Sequence, residues 1–177
     1  MIKLNAQQLR TTKVDPEKIK KLPKNPIYII LDDVLDTYNI GSIFRLADAA
    51  AAEELIITGR SEIPPNTRIK KASINTTEWV KWRYLPTAKE AIEKLREEVE
   101  KIKIVAIEQD PRSISYAKMK WEFPLALVVG NETYGVSKEV LDMVDAIVEL
   151  PMFGVNISLN VMVSLAVVLY KAIENIL

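Results

Sequence analysis

The sequence contains neither cysteine nor histidine. Without thiols there is no disulfide framework and no thiolate metal site. Without imidazole there is no Ser-His-Asp triad, no histidine general base and no His-ligated zinc. Chemistry is left to carboxylates, Arg, Lys, Tyr, Ser, Asn, backbone groups, or the reactivity of a bound cofactor. Glycine is also scarce, five in 177 residues, and its spacing matches neither the Walker phosphate loop nor the dinucleotide fingerprint. A nicotinamide enzyme is therefore excluded. There is no excess of one charge: 24 Lys and Arg balance 24 Asp and Glu. A nucleic-acid binder of this composition must rely on a local basic patch. No apolar run reaches the roughly 20 residues needed to span a bilayer, and Met1–Asn5 has no signal-peptide core. These two absences predict a cytoplasmic protein without membrane attachment.

What is present is ordinary globular composition, 49% hydrophobic and 27% charged. The expectation is one domain, residues 1–177, made of a basic arm (1–25) and a core (26–177). The arm carries Arg10, Lys13, Lys18, Lys20, Lys21 and Lys24, interrupted by Pro16, Pro23 and Pro26. Ile27–Leu31 is a continuous apolar run suited to a strand buried on both faces. Helical character over 40–52 follows, then a strand at 55–57, a loop over 59–78 and an alternating strand at 79–84. Thr87 with Glu90 three residues on marks a capped helix to Glu100. Strands at 102–107, 125–129 and 146–150, a short helix after Ser137 and a last helix over about 159–175 complete the pattern. Strands alternating with helices predict an α/β fold, a parallel sheet flanked by helices. The last helix has almost no polar face, which predicts burial on all sides, with a second subunit covering one of them.

Three clusters sit where a strand ends and a helix begins, the place where open α/β sheets bind ligands. The first is Asn39-Ile40-Gly41-Ser42-Ile43-Phe44-Arg45. Asn39 reads as a helix cap, and Arg45 as either solvated or functional. The second, Gly130-Asn131-Glu132-Thr133-Tyr134-Gly135-Val136-Ser137, follows an apolar strand. Gly130 permits close backbone approach, and Glu132 is free to pair with Arg45, orient a substrate, or face water. The third is Leu150-Pro151-Met152 followed by Ser158-Leu159-Asn160, where Ser158 or Asn160 suits a helix cap. Taken singly, each also reads as ordinary loop and cap chemistry.

Taken together, in this order and spacing, the clusters resemble the SpoU family of RNA ribose methyltransferases within the SPOUT superfamily. The first motif of that family pairs Asn with Arg six residues on. The second reads Gly-Asn-Glu-x-x-Gly-x-Ser. The third has Pro-Met and then Ser-Leu-Asn. The resemblance spans about residues 26–175 and implies a deep C-terminal trefoil knot, a homodimer with the last helix in its interface, and S-adenosyl-L-methionine held in the knot. By the same resemblance, Arg45, Asn39, Glu132, Ser158 and Asn160 are the catalytic set. Ile107, Glu108, Gly130, Asn131, Gly135, Leu150, Met152, Ser158 and Leu159 are expected at the cofactor. The implied reaction moves a methyl group to a ribose 2′-hydroxyl of structured RNA, tRNA or rRNA. Arg45 serves either as the base or as the holder of a phosphate and developing alkoxide.

Arg60, Arg68, Lys70, Lys71, Lys81 and Arg83 lie close in sequence to Trp79, Trp82 and Tyr84. Basic residues interleaved with aromatics suit phosphate contact and base stacking, so Arg60, Arg68, Lys70, Lys71 and Arg83 are expected to bind RNA. The arm is a second candidate. Three alternatives remain open: a catalytically inactive knotted RNA-binding module, a SPOUT enzyme that methylates a base nitrogen, and a metal enzyme built on Asp32, Asp33 and Asp36. The metal reading is weak because no further acidic cluster completes the site, and no metal is expected.

Overall fold

The computed structural model describes residues 3–13, 15, 17, 19, 21–174 and 176. Lys18, Lys20 and Pro16 of the expected basic arm, and Asn175 at the expected end of the last helix, lie outside them. A short helix α1 (Ala6–Thr11) precedes β1 (Asn25–Asp32), α2 (Thr37–Ala49) and β2 (Ala52–Thr58). Then come α3 (Thr67–Ser73), a 3-10 turn (Thr76–Glu78), β3 (Trp82–Leu85) and α4 (Ala88–Glu98). The remainder is β4 (Lys103–Ile107), β5 (Ile114–Ser115) with a 3-10 turn (Tyr116–Lys118), β6 (Leu125–Gly130), α5 (Lys138–Leu141), β7 (Ala146–Glu149) and α6 (Val161–Ile173).

The seven strands form one sheet in the order β3-β2-β1-β6-β4-β7-β5, and every pairing is parallel. Side chains alternate across it, as a period of two requires. Ile27, Ile29, Leu31, Leu55, Ile57, Leu125, Leu127 and Val129 join the core that holds α2, α3 and α6. Ile30, Ile56, Ile104, Ala106, Ala126 and Val128 face the other way, against α4 and α5. Both faces are thus covered, and β1 and β6 are apolar on both sides for that reason.

Local chemistry sets most boundaries. Thr87 accepts from Glu90 N and starts α4, as its sequence signature predicts. Asn39, expected as the cap of α2, does not cap it. Asp36 does, accepting from Tyr38 N at 2.8 Å, and Asn39 is turned inward in the first turn. Asp is as good a cap as Asn, which leaves Asn39 for another use. The expected loop over 59–78 holds α3, capped by Asn66 through Arg68 N and Ile69 N. Seven residues with one buried isoleucine are too short to declare a helical period. The strand expected at 79–84 begins only at Trp82, because Trp79 and Val80 close the preceding turn on Thr76 O. The two-residue strand β5 has no sequence signature at all.

Close helix packing depends on Gly41. A Cβ there would lie 2.5 Å from Ala72 Cβ, 2.8 Å from Ile69 O and 3.0 Å from Ser73 N, so α2 and α3 meet backbone to backbone. The last helix is buried on one side only. Leu165, Val168, Leu169 and Ala172 are fully buried, whereas Val163, Val167 and Tyr170 are 39%, 37% and 50% exposed and form one stripe, a turn apart. No described helix is long and apolar enough to cross a membrane.

Gly41→Ala is expected to destabilise the protein by about 1–3 kcal/mol through overpacking at the α2–α3 crossing. Urea unfolding checks this; an unchanged midpoint would mean that the crossing is slack.

Candidate functional site

The carboxyl ends of three neighbouring strands, β6, β4 and β7, open into a cavity of about 490 Å³. Its walls include Ile107, Glu108 and Gln109 after β4, Gly130–Thr133 and Gly135 after β6, and Glu149, Leu150 and Met152 after β7. Asn156–Val161 and Ser164, from the loop into α6 and the first turn of that helix, close it. Ile107, Glu108, Gly130, Asn131, Gly135, Leu150, Met152, Ser158 and Leu159 all line this space. Gln109, Val129, Thr133, Glu149, Asn156, Ile157, Val161 and Ser164 line it too, although sequence reasoning did not single them out. Their signal was positional: each lies at a strand end or in the loop between two motif fragments.

The loop after β6 is shaped by two glycines. Asn131 and Gly135 exchange backbone hydrogen bonds of 3.0 and 2.9 Å, folding 131–135 back on itself. Asn131 Oδ1 accepts from Thr133 N and Tyr134 N inside that turn, and its Nδ2 donates to Asp33 O. A Cβ on Gly130 would lie 2.1 Å from Gly135 C, so no side chain fits. Gly135 has φ +69° and would place a Cβ 2.2 Å from Glu108 Oε2. The Glu108 carboxylate is committed to Val136 N and Gln109 N, both at 2.8 Å, and so ties the end of β4 to this turn. Asp32 does the same from β1, accepting from Ser137 N at 2.8 Å.

A hydrogen-bonded relay joins all three motifs. Glu132 accepts from Leu35 N, Asp36 N and Asn39 Nδ2, each at 3.0 Å. Asn39 Oδ1 accepts from Asn160 Nδ2 at 2.9 Å. Asn160 Oδ1 accepts from Met162 N and Val163 N, capping α6. Asn160, not Ser158, is therefore the cap; Ser158 is exposed on the cavity wall. Partial burial pushes the Glu132 carboxyl up, but Asn39 Nδ2, Leu35 N and Asp36 N, together with its own backbone N–H, outweigh burial and leave it below the usual glutamate range.

Arg45 lies on the exposed side of α2 and does not line the cavity. It makes no ion pair with Glu132, whose oxygens are occupied as above, and it has no carboxylate partner among the described residues. The cavity walls hold Glu108, Glu132 and Glu149 but no Lys or Arg, so the space suits a ligand carrying positive charge. Asp32, Asp33 and Asp36 are each committed to protein donors: Ser137 N, the Arg60 side chain and Tyr38 N. Among the described residues no acidic, His or Cys group is arranged to hold a metal.

The expected aromatic stacking surface is corrected by the structure. Trp79 is buried, and Trp82 packs edge-on against Phe44 with ring centroids 6.2 Å apart. The Tyr84 hydroxyl donates to Gly59 O. Arg83 grips Glu98 with two bonds of 2.8 and 2.7 Å and also approaches Glu54, and Lys81 approaches Glu54 as well. Arg60 is held by Asp33, with its shortest contact at 2.6 Å. Arg68, Lys70 and Lys71 are exposed and have no carboxylate partner among the described residues.

An all-parallel sheet with a cavity over β6, β4 and β7, closed by motif loops, defines a class of α/β protein with its ligand site at the carboxyl ends of the strands. The chain belongs to the SpoU rRNA methylase family, whose pattern matches residues 26–170. It is 31% identical over 160 residues to the tRNA (guanosine(18)-2′-O)-methyltransferase of Aquifex aeolicus, covering 88% of this chain and 72% of that one. It is also 31% identical over 148 residues to the Bacillus subtilis TrmH family protein YacO, covering 84% of this chain. Among solved structures, an AdoMet-bound rRNA methyltransferase from Sinorhizobium meliloti superposes with a TM-score of 0.79 and 25% identity, over 90% of this chain. The chain spans 58% of the length of YacO and 60% of the Sinorhizobium chain.

A carboxyl whose ionisation is shifted down on folding stabilises the fold fully above its unfolded value, about pH 4.3, and loses that contribution as pH falls through the folded value. Glu132→Gln is therefore expected to cost about 1–3 kcal/mol at neutral pH, the size of hydrogen bonds to a charged group. It should also flatten the loss of stability of the native protein below about pH 4.3. Denaturant titrations from pH 7 to pH 3 test this; parallel pH profiles for both proteins would refute it.

Proposed function

We propose that this protein is an S-adenosyl-L-methionine-dependent methyltransferase acting on a ribose 2′-hydroxyl of structured RNA, tRNA or rRNA, in the cytoplasm. The observation that carries the reading is the relay Glu132–Asn39–Asn160. It binds the three family motifs into one unit on the wall of a cavity without Lys or Arg. That cavity fits the cofactor. Ile107, Val129, Leu150, Met152 and Leu159 offer apolar walls for an aromatic base, and Glu108, Glu132 and Glu149 give a field suited to a sulfonium and an ammonium. When bound, S-adenosyl-L-methionine supplies an already activated methyl group.

The rest of the catalytic work falls to the chain. Backbone groups of Gly130–Gly135 and Leu150–Leu159 hold and orient the cofactor, with Ser158 on the same wall. Asn39, Glu132 and Asn160 keep the motif loops and the start of α6 in fixed register, since a satisfied polar network is rigid. Arg45 is free of carboxylates and exposed, so its guanidinium can take an RNA phosphate and stabilise the alkoxide that develops on the ribose. A guanidinium offers a fork of N–H donors and no acceptor, so it suits that role better than that of a free base.

In the same reading residues 1–177 are one methyltransferase domain, with 1–25 as an arm and 26–177 as the catalytic core. The core's C-terminal part is a trefoil knot, supported by family membership and by the convergence of 107–109, 130–135 and 149–161 on one cavity. The protein works as a homodimer through α6, supported by the exposed stripe Leu159, Val163, Val167 and Tyr170.

Labelled methyl transfer to total RNA lacking this modification, followed by digestion to nucleosides, tests the reaction. Label in a 2′-O-methyl nucleoside is expected; label on a base would move the reading to a base methyltransferase. Cofactor binding with no label in any RNA would move it to an inactive RNA-binding module. Arg45→Ala should bind the cofactor normally and turn over roughly 10²–10⁴-fold more slowly; wild-type turnover would remove Arg45 from the mechanism. Sedimentation should give twice the 20.0 kDa chain mass, and Val167→Glu should shift it to monomer. A monomeric native protein would end the dimer proposal.

A further inference from the structure

The basic residues divide by whether they are paired. Lys81, Arg83, Arg60, Lys89, Arg96 and Arg112 each have a carboxylate within 4 Å. Arg10, Lys13, Arg68, Lys70 and Lys71 have none among the described residues, and all are exposed. Among the cations without such a partner, these five come from two distant stretches of sequence that one side chain brings together. Asn75 Nδ2 donates to Leu9 O at 3.3 Å and to Arg10 O at 3.1 Å. Those are carbonyls in the last turn of α1, where an α-helix lacks internal donors.

Among the described residues, these two bonds from Asn75 are the side-chain hydrogen bonds that tie α1 to the core. The helix has six residues and none is buried, and its own capping box, Asn5 with Gln8, serves only its first turn. A helix of that length is marginal alone. Asn75 reaches it because the chain after α3 turns through two left-handed residues, Ile74 at φ 53° and Asn75 at φ 63°. Asn tolerates that region, whereas a β-branched Ile is strained in it. The corner thus joins the C-terminal turn of α1, with Arg10, to that of α3, with Lys70 and Lys71. The exposed cations on either side of this corner form no ion pair with a carboxylate among the described residues, and such a region suits a bound polyanion.

We infer that the Ile74–Asn75 corner docks the arm on α3 to form one cationic surface, Arg10, Lys13, Arg68, Lys70 and Lys71, that binds the sugar–phosphate backbone of the RNA. Asn75 is its positioning residue, and Arg83 and Arg60 take no part. The inference rests on the reading of RNA as substrate. It places the backbone contact on the α2–α3 side of the sheet, since α3 packs on α2 at Gly41, one turn before Arg45.

The test is binding of a fluorescently labelled unmodified tRNA transcript as a function of salt, with cofactor affinity measured separately by calorimetry. Each lost phosphate contact should make the slope of log K against log salt shallower by about 1. K70Q/K71Q should lose about 2 and R10Q about 1, with cofactor affinity unchanged. Lys101→Gln, a neutralisation of a cation paired with Glu100, should leave the slope at its native value. Asn75→Gly keeps the left-handed corner but deletes the amide. It should match R10Q, and adding R10Q to it should change little further. Native affinity and slope in K70Q/K71Q would overturn the surface. A native slope in Asn75→Gly, with R10Q weakened, would overturn the role of the corner; should Asn75→Gly fail to fold, R10Q and K70Q/K71Q alone decide the surface. A native protein that binds this RNA with the stated slopes but transfers no methyl group to any RNA removes the proposed activity and leaves the surface standing. A native protein that binds no RNA overturns both.

Discussion

Two side-chain hydrogen bonds hold this molecule's functional region in one arrangement: Asn39 to Glu132, and Asn160 to Asn39. They span 93 and 121 residues of sequence. Glu132 anchors one end, where its charge is met by two backbone N–H groups ahead of α2. Asn160 anchors the other, where it caps α6. Amides suit the middle of such a chain because each both donates and accepts, so no polar atom is stranded. Loss of one member would free the loop after β6, the start of α2 and the entry to α6 together.

Around that relay the acidic groups serve geometry more than charge. Asp32, Glu108 and Glu132 each accept backbone N–H groups from a loop distant in sequence. In effect three strand ends carry carboxylate hooks that catch the turn at 131–137 and the start of α2. The two glycines of the turn are the counterpart, because only an absent side chain lets the hooks and the returning backbone approach so closely. Glu108 and Glu132 also line the cavity, whose wall holds no Lys or Arg, an electrostatic setting that suits a positively charged ligand.

Charge is sorted across the molecule in a second way. Cations near β3 are neutralised by Glu54 and Glu98, and Arg60 by Asp33, so they stabilise local structure and present little field to solvent. Cations on α1 and α3 are left open. A chain of zero net charge can therefore offer a polyanion a local positive surface while its cavity suits a cationic ligand. Net charge by itself conceals this, since the proposed recognition of RNA rests on pairing.

The sheet and the motifs are legible in the amino-acid order. Unbroken apolar runs such as Ile27–Leu31 and Leu125–Val129 require burial on both faces, and that compels a parallel sheet covered by helices. Thr87, and the motif residues at strand ends, were legible because caps and turns are written in adjacent residues. Tertiary structure alone decided which side chains meet. That Asn39 is a relay member and Asp36 the cap, that Arg83 is spent on Glu98, and that Trp79 is core all depend on partners far along the chain. So does the seven-residue helix α3, stabilised by contact with Gly41 more than by its own period. Local signals report the backbone's own hydrogen bonds and periodicity, while the partner of a long polar side chain is fixed only when the sheet order brings distant strand ends together.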